Sequence, residues 1–216
     1  MGSSAAGDSG ERVERAAPDR RNRILDAAER IFAEHGYHGT TLRQVAGAAE
    51  VKLSLLVYHF ESKLRLYVSV FERRQYVNDE RLRRLTVIED LTAPDAVERV
   101  VRAFLDPVVE LAEDGRWYRR LVLREAADPS SQDRPVIGTL FDPMARQFIA
   151  ALRVALPGKR EGFYEWAYLF AVGALTQSAF DDRLSSISDG TISDESNPGA
   201  KADLLRSFIV AGLRHG

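Results

Sequence analysis

Between Thr40 and Lys63 the chain lines up hydroxyl, amide, ammonium, phenol and imidazole groups at spacings that suit recognition of a polyanion. Thr41 is a good N-cap for a helix in which Leu42, Val45, Ala46 and Ala49 fall at i, i+3, i+4 and i+7. Ala46 is small where a second helix must cross closely. Val51 is expected to plug a tight turn, with Leu56 and Phe60 on the inner side of the second helix. The outward positions are then Lys52, Ser54, Leu55, Tyr58 and His59. Lys and Ser suit phosphate, an outward Leu suits a thymine methyl, and Tyr and His suit phosphate or base edges. The pattern predicts two short helices whose second member fits the major groove of DNA. A generic helical hairpin accounts less well for this turn length together with Ala46, Val51 and Leu56.

Catalytic chemistry finds little support. The chain has no cysteine, which excludes a disulfide framework, thiol catalysis and Cys-based zinc sites. The histidines are His35, His38, His59 and His215, and Gly36 separates the first two from any shared helix face. Glu125 and Asp128, like Asp181 and Asp182, fall at expected helix ends, where solvated charge is normal. No Gly-rich phosphate loop or nucleophile elbow occurs. No enzyme activity, cofactor or metal is therefore expected.

With 216 residues and 45% apolar side chains the chain can bury a real core. No run approaches the roughly 20 apolar residues of a membrane span. Met1 to Gly10 is small and polar, unlike a secretory signal, so a cytoplasmic protein is expected. Net charge is −2, an objection to DNA binding that the distribution answers. Glu11 to Gln75 carries twelve Lys/Arg against nine Asp/Glu, an excess of three, so the rest is acidic. Arg12, Arg15, Arg20, Arg21 and Arg23 cluster at its N-terminal end, beside the two short helices' segment, and suit phosphates or the minor groove.

Residues from about Asp19 to Arg74 resemble the N-terminal domain of the TetR family of bacterial transcriptional regulators. The likeness runs through Ile24-Leu25-Asp26-Ala27-Ala28, Phe32-Ala33-Glu34-His35-Gly36-Tyr37, Thr40-Thr41, Val45-Ala46, Tyr58-His59-Phe60 and Ser62-Lys63. It implies an all-α protein: a three-helix DNA-binding head with a helix-turn-helix, plus a larger helical effector-binding and dimerisation domain. It also implies a repressor released from operator DNA by a small molecule. The DNA-facing set is then Thr41, Arg43, Gln44, Lys52, Ser54, Leu55, Tyr58, His59 and Lys63. Three positions depart from the family pattern. Glu50 stands where the turn commonly has Gly, at an expected cost of about 1 kcal/mol if φ is positive. Lys52 replaces the usual Ser or Thr cap, and Val57 replaces a frequent Tyr, with Tyr58 one residue later. Glu50 and Lys52 are the features that would favour the alternative, a helical interaction protein of the same fold that has lost DNA binding.

Along the whole chain helix follows helix, with almost no strand pattern. Residues 1–18 are expected to form a disordered tail, 19–75 the DNA-binding domain and 76–216 the ligand-binding and dimerisation domain. The first helix is expected over Asp19–His35, ended by Gly36. Ser62 should cap a single helix reaching Leu85, a rod of about 35 Å at ~1.5 Å per residue. Pro107 should bend the helix that follows Asp95 by freeing the Ala103 carbonyl. The helix from about Arg160 to Leu184 carries an aromatic stripe, Phe163, Trp166, Phe170 and Gly173, and a small-residue stripe, Ala167, Ala171, Ala174 and Ser178. Ser185 to Gly199 reads as a loop before a last helix over Lys201–His215. By the resemblance, the last two helices pair with their two-fold mates to make a homodimer. Material for an effector cavity is Phe104, Trp117, Tyr118, Phe141, Phe148, Trp166 and Phe170, with Arg120, Arg124 and Gln177 as polar handles. A small apolar or amphipathic effector is expected.

Overall fold

The computed structural model describes residues 10–111, 115–178, 184–190 and 198–216, with side chains from Arg20 onward except those of 184, 185 and 198. Among these residues every regular element is helical and no strand occurs, the all-α architecture that the periodicity predicts. None of these helices is long and apolar enough to cross a membrane. Residues 1–9, Asp181 and Asp182, the expected helical stretch after Ser178, and much of the Ser185–Gly199 segment lie outside the described residues. The chain divides into two compact units, Met1–Phe71 and Glu72–Gly216.

The first unit contains α1 (Gly10–Gly39), α2 (Leu42–Ala48), α3 (Leu53–Phe60) and most of α4 (Lys63–Arg73). Helix α1 starts at Gly10, ahead of the expected Asp19. The Glu11–Ala17 run is built of good helix formers, which accounts for the extension. Gly36, at φ 73 and ψ 177, breaks the regular helix where the sequence places its end. The buried Thr40 closes that end by donating its hydroxyl to the Gly36 carbonyl at 2.8 Å. Ile24, Leu25, Ala28 and Phe32 of α1 meet Val45 and Ala46 of α2, Leu56 and Phe60 of α3, and Leu66, Tyr67 and Phe71 of α4 in one core. Phe32 and Tyr67 pack edge to face at 4.7 Å, as do Tyr67 and Phe71 at 5.2 Å. Each such buried aromatic contributes roughly 1.5–3 kcal/mol over an exposed one.

The rod expected from Ser62 to Leu85 is two helices. Ser62 does cap α4, accepting from the Arg65 amide at 3.1 Å. At Glu72-Arg73-Arg74-Gln75 the chain offers no apolar residue to the core, and the bonding tightens. Gln75 donates to the Glu72 carbonyl and Val77 to the Arg74 carbonyl, each at 3.1 Å and spanning three residues. Helix α5 (Tyr76–Thr86) then begins afresh.

The second unit comprises α5, α6 (Ala96–Val109), α7 (Arg116–Ala127), α8 (Asp142–Ala155), α9 (Phe163–Ser178), α10 (Leu184–Ile187) and α11 (Pro198–His215). The strongly apolar α6 packs against α5, α8 and α11, and α9 closes the layer against α7, α8 and α11. Phe104 is central, with Phe148 and Tyr168 each edge-on at 5.4 Å. Arg206 to Asp106 at 2.8 Å and Arg214 to Glu98 at 2.6 Å tie α11 along α6. A single π turn over Ile137–Phe141 leads into α8, where Pro143 occupies the first turn, a position at which its missing N–H costs no helix bond.

Candidate nucleic-acid interface and body cavity

Helix α2 is closed at its start by a reciprocal cap. The Gln44 amide donates to the Thr41 hydroxyl at 3.3 Å, while the Thr41 amide and hydroxyl both donate to Gln44 Oε1 at 2.8 Å. Gln44 therefore spends its carbonyl oxygen on the cap and keeps its NH2 as the group left for a partner. At the other end of α2, Val51 donates to the Ala46 carbonyl at 3.0 Å and Glu50 to the Gly47 carbonyl at 3.1 Å. This is a Schellman turn, and it holds Glu50 at φ 55, the left-handed region where glycine is the usual residue. The turn fixes the entry of α3.

Lys52 is the N-cap of α3 and makes no side-chain capping bond, as its chemistry dictates. Leu56 and Phe60 are buried, and Arg21 of α1 lies over the Phe60 ring at 5.2 Å. The opposite side of α3 is open. Tyr58 is 81% exposed, and Thr41, Arg43, Gln44, Lys52 and Ser54 are exposed as well. Leu55 and His59 are half-buried, so Leu55 is less outward than its spacing predicts. Leu53 and Val57 are open instead, and sequence reasoning left them out of the set. Lys63 is half-buried at the start of α4, its ammonium 4.5 Å from the centre of the Tyr37 ring, and desolvation holds its pKa below the ordinary lysine value. That contact fixes the position of a charge that would otherwise sample many rotamers.

In the second unit a cavity of about 250 Å³ opens among α5, α6, α7, α8 and α9. Of the residues expected around it, Phe104, Tyr118 and Phe141 line its wall. The others do not. Phe148 is buried in the core beside Phe104, Trp117 lies under the Arg116 guanidinium, and Arg120, Arg124 and Gln177 are exposed. Trp166 and Phe170 face outward, 61% and 68% exposed, because α9 turns Tyr164, Tyr168, Ala171 and Leu175 inward. They line a surface groove with Phe163 of α9 and Phe208 and Gly212 of α11.

The cavity instead includes Arg81 and Tyr168, which sequence reasoning missed. Arg81 is 6% exposed and lies on the inner side of α5 between Val77 and Leu85. Spacing four from an apolar residue on each side is the signal that marked it. Its Nε donates to the Phe104 carbonyl at 2.8 Å, one turn ahead of the end of α6, and Nη1 donates to Asn78 Oδ1 at 3.3 Å. Burial pushes its pKa down from the ordinary value, yet a guanidinium stays protonated in proteins. Burial also pushes the Tyr168 phenol up to about 12, keeping it a neutral donor.

Glu125 is not a solvated helix-end charge. It is 1% exposed and pairs with the buried Arg134 at 2.7 Å, and Arg134 also reaches Asp128 Oδ2 at 2.7 Å. The Asp128 carboxyl is held down at about 2 by hydrogen bonds from the Ser130 amide and hydroxyl and from Arg134. This network fixes the segment after α7 that borders the cavity.

Known proteins share both units. Residues 24–70 match the family profile "Bacterial regulatory proteins, tetR family", and residues 102–212 match "Tetracyclin repressor-like, C-terminal domain". The transcriptional regulator RutR of Escherichia coli is 26% identical over 204 residues, 93% of each chain. The transcriptional activator FasR of Mycolicibacterium smegmatis is 40% identical over 55 residues, 26% of this chain and 25% of its own. Among solved structures, a TetR-like regulator from a Rhodococcus species aligns with a TM-score of 0.61 at 23% identity over 90% of this chain and 95% of its own. The fatty acid degradation regulator FadR of Bacillus halodurans aligns at 0.62 and 19%, over 91% and 97%, a likeness of fold. An open α3 on a capped turn, attached to a helical unit with its own cavity, is thus the arrangement of a regulator. The chain belongs to the TetR family of bacterial transcriptional regulators, a helix-turn-helix DNA-binding protein and not an enzyme.

Proposed function

We propose that this chain is a homodimeric repressor, acting in the cytoplasm, that leaves its operator when a small molecule fills the cavity of its second unit. The observation that carries the reading is the open face of α3, with Tyr58 the most exposed large side chain of that helix. In this reading Ser54, Tyr58 and His59 meet base edges and phosphates in the major groove, with Leu53 and Val57 available to thymine methyls. Thr41, Arg43, Gln44, Lys52 and Lys63 hold the backbone. The exposed aromatic groove of α9 and α11 supports dimerisation, because apolar faces of that kind mark association sites.

Two recognition helices must lie about 34–36 Å apart, or a multiple of that, to engage one operator together. A ligand favouring one packing of α5 through α9 shifts the dimer between docking and non-docking arrangements, provided it binds the two unequally. The chain path from α5 to α4 through Arg74 and Gln75 carries that change to the head. IcaR of Staphylococcus aureus, described as a negative regulator, shares 43% identity over 47 residues. FasR is described as an activator, so the sign of the output needs its own experiment. A promoter fusion to the chain's own upstream region tests it: deletion of the chain raises expression if it represses and lowers expression if it activates. Titration of that DNA at rising salt should show a steep linear fall of log affinity. Binding insensitive to salt, or absent, would instead favour a fold-sharing interaction protein.

A further inference from the structure

We infer that the cavity takes an anionic amphiphile whose carboxylate pairs with Arg81 and whose tail lies against Phe104, Tyr118 and Phe141. The inference rests on the reading of this cavity as the effector site. It specifies the ligand's charge, and the wall supplies the argument.

Among the described residues Arg81 is a buried cation without a counter-ion. A guanidinium carries five N–H donors. Nε and one N–H of Nη1 are used within the protein, and no described carboxylate lies within ion-pair distance of the group. Three other arginines of this unit are each paired with a carboxylate. Arg134 has Glu125 and Asp128, Arg206 has Asp106, and Arg84 has Glu80 and Glu110. A buried charge with no opposite partner is costly, and a ligand carboxylate would remove that cost with a two-pronged, charge-assisted contact.

The remaining polar groups agree. Arg119 adds a second basic residue to the wall, and the hydroxyls of Tyr168, Thr176 and Ser131 also line it. Asp142 is the acid of this lining, but it is half-exposed at the start of α8 and lies 4.0 Å from Arg146. A cationic ligand is disfavoured. The aromatic face that would attract it, Phe104, already holds the Arg81 guanidinium at 4.6 Å. Arg81 also joins α5 to α6 through the Phe104 carbonyl, so a head group that draws on its donors acts on that joint.

A matched set of probes tests this on the full-length protein: octanoate, 1-octanol and octylammonium, each titrated by calorimetry below its aggregation concentration. Octanoate should bind at least about tenfold tighter than octanol, the discrimination expected of a desolvated ion pair, and octylammonium should bind weakest. Arg81→Gln should bring octanoate down to the level of octanol, whereas Arg81→Lys should keep the anion preferred. If Arg81→Gln fails to fold, the wild-type series and Arg81→Lys still decide. Failure of octanoate to bind, or equal binding of octanol or octylammonium, would overturn the inference. Operator release is read separately by mobility shift. Octanoate bound at full occupancy without release would count against the effector reading and leave the charge assignment standing.

Discussion

The Val51 amide reaches back to the Ala46 carbonyl at 3.0 Å and thereby makes Glu50 left-handed at φ 55. Glycine adopts this conformation freely, whereas other L-residues are strained by about 1–2 kcal/mol. The Glu50→Gly variant should therefore raise stability by up to about 1 kcal/mol, the gain being trimmed by the extra freedom of an unfolded glycine. Urea unfolding followed by circular dichroism checks it. Glu50→Ala should give no such gain, since alanine keeps the Cβ that causes the strain.

The position of this turn was legible in the sequence because a helix-turn-helix is local. Thr41, Ala46, Val51, Leu56 and Phe60 take their roles from spacing within one segment, and the capped turn translates those spacings directly into geometry. The body was legible in its helices but not in its inner faces. Helix α9 is apolar nearly all round, so the stripe of Trp166 and Phe170 looked as fit for a core as that of Tyr164, Tyr168 and Leu175. Neighbouring helices decide which stripe turns inward, and periodicity does not contain them. Arg81 and Glu125 were hidden differently. Each sits on an inner face at apolar spacing, but within stretches so rich in charge that a solvated side chain was the natural reading.

The Glu125–Arg134 pair is out of water at both ends, so removing one partner strands the other. Arg134→Met should cost roughly 3–5 kcal/mol, seen as a lower thermal midpoint. Glu125→Met combined with Arg134→Met should recover much of the loss, since a buried ion pair replaced on both sides by apolar groups is often close to neutral.

Asp128 gives the same network a pH dependence. Its carboxyl sits at about 2 in the folded chain, below the ordinary aspartate value of about 3.9. Its contribution is therefore complete above pH ~4 and is lost as pH falls through ~2, where the native carboxylate takes up its proton. Asp128→Asn should flatten the stability profile in that window while leaving the slope at higher pH unchanged. An identical acid profile for the variant and the parent would show that other carboxylates set it.

The outward aromatic groove predicts how the chain associates. Trp166, Phe170 and Phe208 are more than half exposed in a single chain. Phe208→Glu should convert the dimer to monomer in sedimentation equilibrium, with helix content preserved, because a charge buried against a second aromatic face lacks a partner. A dimer unchanged by that variant would put the interface elsewhere.

If the open face of α3 reads DNA, Tyr58→Ala removes its most exposed large side chain and should weaken that reading. A mobility-shift titration on the operator, run beside a sedimentation check of oligomeric state, should show affinity reduced at least about tenfold with the dimer intact. Full affinity retained by a dimeric Tyr58→Ala protein would mean that this face of α3 does not read the operator.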